Sequence, residues 1–142
     1  MTIDHERITA EEYIDFLKRT DLGSQYPAER FEERIAKLVK NASISIAARA
    51  GDGQLIGACF AITDFAYWLF LTDLGVDRRY TGRGIGRNMV DMAMEAAGGK
   101  RDIIMYTCAN VNAVPFYEKI GMKPAVDMME LNEVDWTAFT VK

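Results

Sequence analysis

In the first third of the chain, apolar side chains recur at helical spacing. Thr9 followed by Glu12 has the form of a capping box, and Tyr13, Phe16 and Leu17 then fall on one helical face. Gly23 closes this region. Pro27 fits the first turn of a second helix, where its missing N–H costs nothing, and Phe31, Ile35 and Leu38 continue that helix. From Ser43 the pattern changes to strands. Ser43 to Arg49 alternates, Gly51-Asp52-Gly53 supplies a turn, and Leu55 to Ile62 and Tyr67 to Val76 are apolar, aromatic-rich runs that read as central strands. A glycine-rich turn from Tyr80 to Gly86 leads into a helix from Arg87 to Ala97, stopped by Gly98-Gly99. Then come a strand from Asp102 to Cys108, a short helix from Ala113 to Ile120 closed by Gly121, and strand-like segments from Met122 to Leu131 and from Trp136 to Val141. This order predicts an α/β fold, and 142 residues without a linker or repeat fit one domain, residues 1–142.

Composition narrows the function. The net charge is −4, from 17 basic and 21 acidic residues, and no long basic block is present. Nucleic-acid affinity comes mainly from neutralising phosphates with Lys and Arg, so a nucleic-acid partner is not expected. A mild acidic bias is compatible with a cationic amine. Cys59 and Cys108 are too few for a disulfide framework and lie on strands read as buried, where thiols are inert. Met1 to Arg7 mixes charges and does not read as a secretory signal, so a cytoplasmic protein is expected. Between Leu55 and Thr72 the only charge is Asp64. A carboxylate mid-span costs about 2.5–3.5 kcal/mol, so Thr63 and Asp64 are better placed at a turn between two buried strands than in a membrane.

The glycine turn has the physical form of a phosphate holder. Glycines let the backbone approach an anion, the first amides of the following helix are unpaired, and the helix dipole adds to the attraction. Arg83 and Arg87 flank it. No Gly-Lys-Ser/Thr follows, so it is not a P-loop. Met89 stands where a dinucleotide fingerprint has its third glycine. The alternative is an ordinary tight turn.

The segment Val76-Asp77-Arg78-Arg79-Tyr80-Thr81-Gly82-Arg83-Gly84-Ile85-Gly86 resembles motif A of the GCN5-related N-acetyltransferase (GNAT) superfamily. Asn110-x-x-Ala113-x-x-Phe116-Tyr117-Glu118-Lys119-Ile120-Gly121-Met122, in the same order and at a typical separation, resembles motif B. The resemblance implies a twisted mixed sheet with splayed central strands and flanking helices, with acetyl-CoA as co-substrate. The splaying strands would be Tyr67–Val76 and Asp102–Cys108, with Gly75 marking the bulge that begins the splay. Backbone groups of Leu74, Gly75 and Val76 would grip the pantetheine, and one of their amides would meet the oxyanion. Amides from Thr81 through Gly82, Arg83, Gly84, Ile85, Gly86 and Arg87 would hold the pyrophosphate, and Asn110 would contact the arm. Thr81 stands where the family usually has Gln or Arg, so phosphate contact there rests on the amides. Met122 replaces a usual Phe at similar volume.

Tyr117 matches the family tyrosine that protonates the departing thiolate, and Asp73 is the leading candidate for a base. For each, the competing role is structural: a core aromatic for Tyr117 and a solvated strand-end carboxylate for Asp73. Asp64 and Glu130 are weaker base candidates. His5 is the only histidine, in the N-terminal arm, which disfavours histidine-based nucleophile systems, and no metal-ligand spacing is present. Phe65, Tyr67, Trp68 and Phe70 read mostly as core. The Gly23-Ser24-Gln25-Tyr26 loop is the other expected acceptor wall. The acceptor itself, a small-molecule or peptide amine, stays open. Trp136 and Phe139 offer either a homodimer surface or packing within the domain. A non-catalytic acyl-CoA-binding module of the same fold is the main alternative. A nucleotide-binding domain using the same turn leaves motif B without a role.

Overall fold

A computed structural model describes residues 1–142. Its elements run β1 (Thr2–His5), α1 (Ala10–Leu17), α2 (Phe31–Asn41), β2 (Ile44–Arg49), β3 (Leu55–Thr63), β4 (Trp68–Val76), a 3-10 turn (Arg78–Tyr80), α3 (Ile85–Ala97), β5 (Ile104–Thr107) and α4 (Val114–Lys119). The strands form one sheet in the order β1-β2-β3-β4-β5. Neighbours are antiparallel except β4 and β5, which are parallel and joined through α3.

The central strands are apolar on both faces because both faces are covered. Ile46, Ile56, Cys59, Leu69 and Leu71 pack with Ile85, Met89 and Ala93 of α3. Ala47, Ala58 and Phe60 pack on the opposite face with Tyr13, Phe16 and Leu17 of α1 and Ile35 and Val39 of α2. The run from Leu55 to Thr72 is therefore a hairpin. Asp64 makes its turn by accepting the amides of Ala66, Tyr67 and Trp68 at 2.8–3.0 Å. Those bonds, Trp68's first, hold its carboxyl below the usual range, and the group belongs to the turn. No helix is long and apolar enough to cross a membrane.

Thr9 caps α1 by accepting the Glu12 amide at 3.1 Å. The Glu12 carboxylate does not return to close the box. It meets Arg49 of β2, which also holds Glu6, and so ties the N-terminal arm to the sheet.

Several elements differ from the pattern-based expectation. β1 lies in a charged arm that carries no apolar alternation, because an exposed edge strand can be polar throughout. The second helix starts at Phe31, after Arg30 in a left-handed conformation, and Pro27 lies in the preceding loop. The segments Met122–Leu131 and Trp136–Val141 form no strand. β5 consequently ends the sheet, and a cavity of about 1370 Å³ separates it from the chain beyond Met122. The last residues pack on the α1–α2 connection instead. Phe139 meets Phe31 edge-on at 5.0 Å, and the Val141 amide donates to the Gly23 carbonyl at 2.8 Å. Phe65, Tyr67 and Trp68 are exposed at the hairpin tip, not core, and Cys108 is exposed just past β5.

Asp77, almost fully buried after β4, fixes the start of the glycine turn. It accepts the Arg79 amide at 2.9 Å and pairs with Arg79 at 2.9 Å and with Arg19, just past α1, at 3.1 Å. Hydrogen bonding from Arg79, chiefly, pulls its carboxyl down to about 2. A depressed folded-state value gives stability that is full above the unfolded value and lost as pH falls through the folded one. Asp77→Asn is therefore expected to lose about 1–2 kcal/mol at neutral pH, from a shift worth 1.36 kcal/mol per unit. Its stability should also fall less steeply than the parent's between about pH 4 and pH 2. Urea unfolding at both pH values measures this, and equal stability at neutral pH would contradict it.

Candidate functional site

The gap between β4 and β5 follows from where their pairing stops. β3 accompanies β4 from Leu69 to Val76, but β5 pairs only from Trp68 to Leu71, where Thr107 is the last partner. The Thr107 hydroxyl closes that end by donating to the Leu71 carbonyl at 2.9 Å. Beyond it, the β4 peptide groups that point away from β3 have no strand partner, from Thr72 to Val76. Leu74, Gly75 and Val76 all lie on this open edge.

The β-bulge sits at the mouth of the gap. On β3, consecutive residues Phe60 and Ala61 face Asp73 and Leu71, so Thr72 is the extra residue. The bulge is thus at Thr72 and not at Gly75, where a glycine near the strand end suggested it. Gly75 answers a different need, because a Cβ there would lie 2.5 Å from Leu22 Cδ1. A bulge re-aims side chains. Thr72 and Asp73 both face the α1–α2 side, whereas Leu71 and Leu74 pack toward α3.

Asp73 is therefore no solvated strand-end group. It is 3% exposed. Its Oδ1 accepts from the Tyr26 hydroxyl and from Gln25 Nε2 at 3.1 Å. The Tyr26 proton is committed to Asp73, so the Tyr13 hydroxyl, 2.8 Å from that of Tyr26, must donate to it. Oδ2 of Asp73 has no partner. Burial raises the carboxyl above its ordinary value, opposed by hydrogen bonds from Tyr26, Thr72 and Gln25. Burial also pushes both tyrosines up, so they remain donors. The Gln25-Tyr26 loop, expected as an acceptor wall, holds Asp73 Oδ1 and lines the cavity on the α1–α2 side. Tyr13 read only as core, and nothing in its spacing signals the hydroxyl relay.

Tyr117 approaches from α4. It is half-buried, packs edge-on against Phe116 at 5.1 Å, and lies against the α3-side core. Burial raises its hydroxyl above the ordinary value, an interaction with Thr107 lowers it, and the charge of Asp73 is near enough to contribute. Tyr117 thus sits by Thr107 at the closed end of the gap and lines the cavity beside β5, whereas Asp73, two residues past Leu71, lines a separate cavity on the α1–α2 side. Asn110 follows β5, and its side-chain oxygen accepts the Ala113 amide at 2.9 Å, setting the start of α4. Glu130 lies in the chain beyond Met122, exposed and away from Asp73.

The glycine turn lies at the other end. Gly82 and Gly84 have φ of +78° and +80°, the left-handed region that disfavours side chains. Gly84 precedes α3, whose first ladder bond is the Asn88 amide to the Gly84 carbonyl, 3.0 Å. The amides of Ile85, Gly86 and Arg87 thus lack helical acceptors. Thr81 to Gly84 and Arg87 are exposed. The Thr81 hydroxyl donates to the Arg78 carbonyl at 3.2 Å, so this residue braces the 3-10 turn. Arg83 lies over the Tyr80 ring, 4.9 Å from its centroid, and Arg87 has only Asp91 nearby, at 4.0 Å. Gly86 admits the Phe116 ring, which would lie 3.3 Å from a Cβ at that position, and so ties the turn to the helix that bears Tyr117.

Cys59 is fully buried and its thiol is pushed up to about 12 by burial. No three His, Cys, Asp or Glu side chains converge to hold a metal ion.

No functionally curated protein matches the sequence. Solved structures share the fold. The GNAT-family acetyltransferase of Streptococcus pneumoniae is 20% identical with a TM-score of 0.68, over 94% of this chain and 98% of that one. The PaiA N-acetyltransferase of Thermoplasma acidophilum, solved with coenzyme A, is 18% identical with a TM-score of 0.64, over 98% and 96%. The GNAT family N-acetyltransferase YhbS of Escherichia coli, also solved with CoA, is 19% identical with a TM-score of 0.64, over 86% and 68%. The sequence matches the acetyltransferase (GNAT) family over residues 8–122, and by that match, on this fold, the chain belongs to the GNAT acetyltransferase family.

Proposed function

We propose that the protein is an acetyl-CoA-dependent N-acetyltransferase acting on a primary amine by direct attack, within one acetyltransferase domain. The observation that carries this reading is the β4 edge left open past Leu71, with Asp73 on it, Tyr117 beside Thr107 at its closed end and a glycine turn beyond its other end. The residues suit acetyl-CoA. Gly82 and Gly84 leave the turn bare of side chains, and the amides of Thr81 to Arg87, with Arg83 and Arg87, suit a pyrophosphate. The open edge of Leu74, Gly75 and Val76 suits an extended polar arm, and Asn110, in the chain after β5, is a candidate contact for it.

When bound, acetyl-CoA supplies an acyl group activated as a thioester. The protein's own groups then handle protons and charge. Oδ2 of Asp73, unpartnered and of raised proton affinity, takes a proton from the incoming ammonium, while the Gln25–Tyr26–Tyr13 donors hold Oδ1 in place. A β4 amide past the bulge donates to the oxygen that gains charge. As the C–N bond forms and the C–S bond breaks, the Tyr117 hydroxyl, kept protonated by burial, donates to the leaving sulfur, and the second proton that the nitrogen sheds restores the hydroxyl. Burial of Asp73 keeps bulk water from its carboxyl.

Three outcomes are expected. Tyr117→Phe should lower kcat by about a hundredfold or more, the scale of general acid catalysis, with little change in the KM for acetyl-CoA. An unchanged kcat across pH would remove its role as acid. In the parent, kcat/KM should fall as pH drops through the raised Asp73 value, above the usual carboxylate range, because only the ionised form accepts a proton. Asp73→Asn should lack that limb, and a limb that persists in the variant would assign it elsewhere. Gly84→Glu sets bulk and negative charge against the phosphate position and should abolish acetyl-CoA binding in calorimetry. A folded variant with unchanged affinity would refute that position, and retained binding with no turnover in the parent would favour a non-catalytic acyl-CoA-binding module.

A further inference from the structure

Beside the gap, on the α1–α2 side, lies a cavity of about 720 Å³. That is ample for a small-molecule ligand. Its inner end holds Thr72 and Asp73 from one side of the gap and Cys108 and Asn110 from the other, so it opens directly onto the candidate reaction centre. Asp73 is the only acidic residue lining it, and its unpartnered Oδ2 is the buried polar atom left unsatisfied in the structure.

The opposite wall is α2, which presents Phe31, Arg34, Leu38 and Asn41 at helical spacing. Arg34 forms no ion pair. The neighbouring cation, Lys37, is already paired with Glu33 at 3.3 Å. The Glu29 carboxylate, which senses Arg34 from farther away, is held by the Thr137 hydroxyl. Apolar and aromatic side chains, among them Phe31, Ile35, Leu38, Ile62 and Trp136, make up half of the lining, and Ile62 and Trp136 are exposed. The lining therefore carries one buried anion deep inside and an unengaged guanidinium on the far wall. A plain polycation would satisfy Asp73 but meet Arg34 and Lys37 with like charge. A neutral alkylamine would leave Arg34 unused.

We infer that the acceptor is a primary amine that also bears an oxyanion, carboxylate or phosphate, at the far end of an apolar spacer, with the amine at Asp73 and the oxyanion at Arg34. This rests on the transferase reading for the word acceptor, but on the cavity alone for the binding. Arg34 offers a planar fork that matches either oxyanion, while the apolar half of the lining favours a hydrocarbon spacer.

The test uses four matched probes: aminohexanoate, aminohexyl phosphate, hexylamine and diaminohexane. Binding to the protein with coenzyme A present is followed by calorimetry, and acetyl transfer by thiol release. One or both oxyanion-bearing amines should bind and react best, and the better of the two identifies the oxyanion. Arg34→Gln should reduce their advantage over hexylamine by about tenfold, the loss expected for one charge-assisted contact, and Arg34→Lys should keep part of it. Equal or better binding of hexylamine or diaminohexane, or an advantage untouched by Arg34→Gln, would overturn the inference and leave the transferase reading standing. Arg34-dependent binding without thiol release would retain the site and overturn the transferase reading instead.

Discussion

The structure depends on a single asymmetry in hydrogen bonding: β4 keeps β3 as a partner to its end but loses β5 after Leu71. Backbone N–H and C=O groups demand partners, and a strand edge opened inside a sheet is a binding surface unless something covers it. Here the edge lies between α3 on one face and the α1–α2 layer on the other. The chain's strongest local interactions hold this opening. Thr107 ties its closed end to Leu71, Asp77 with Arg19 and Arg79 fixes where β4 hands over to the glycine turn, and Gly86 lets Phe116 pack close to α3.

The bulge at Thr72 converts this backbone feature into chemistry. Without the extra residue, strand alternation would turn Asp73 toward α3, into an apolar core where an ion has no partner. With it, Asp73 faces the α1–α2 layer, where Gln25 and Tyr26 satisfy one oxygen and leave the other bare. Burying a half-satisfied carboxyl costs stability, and natural proteins keep such costs mostly where function needs them. That cost is the strongest physical reason to read Asp73 as functional.

Much of this was legible in the sequence. The glycines of the turn, the helix that follows and the tyrosine of α4 are local features, set by φ, capping and spacing, and they appear where the pattern placed them. The Gln25-Tyr26 loop, singled out in the sequence, does lie against Asp73. Features that depend on packing across the sheet were not legible. Gly75 looks like a bulge residue but makes room for Leu22, and the bulge falls at Thr72, which has no distinctive local signal. The hydroxyl relay joins Tyr13, Tyr26 and Asp73 across elements distant in sequence. β1 escaped notice because an edge strand needs no apolar alternation. The segment from Met122 to Leu131 has strand-like composition but no partner, and hydrophobicity without pairing does not make a strand. The exposed aromatics at Phe65, Tyr67 and Trp68 show the same limit, since a run that reads as core can lie on a hairpin tip.

Amide hydrogen exchange with and without acetyl-CoA tests the role of the open β4 edge most directly, because that role belongs to particular backbone groups. Exchange should slow at Leu74 to Val76 and at Thr81 to Arg87, with no such slowing from NAD at the same concentration. Unchanged exchange in both segments under saturating acetyl-CoA, or slowing confined to the cavity beside β5, would contradict it.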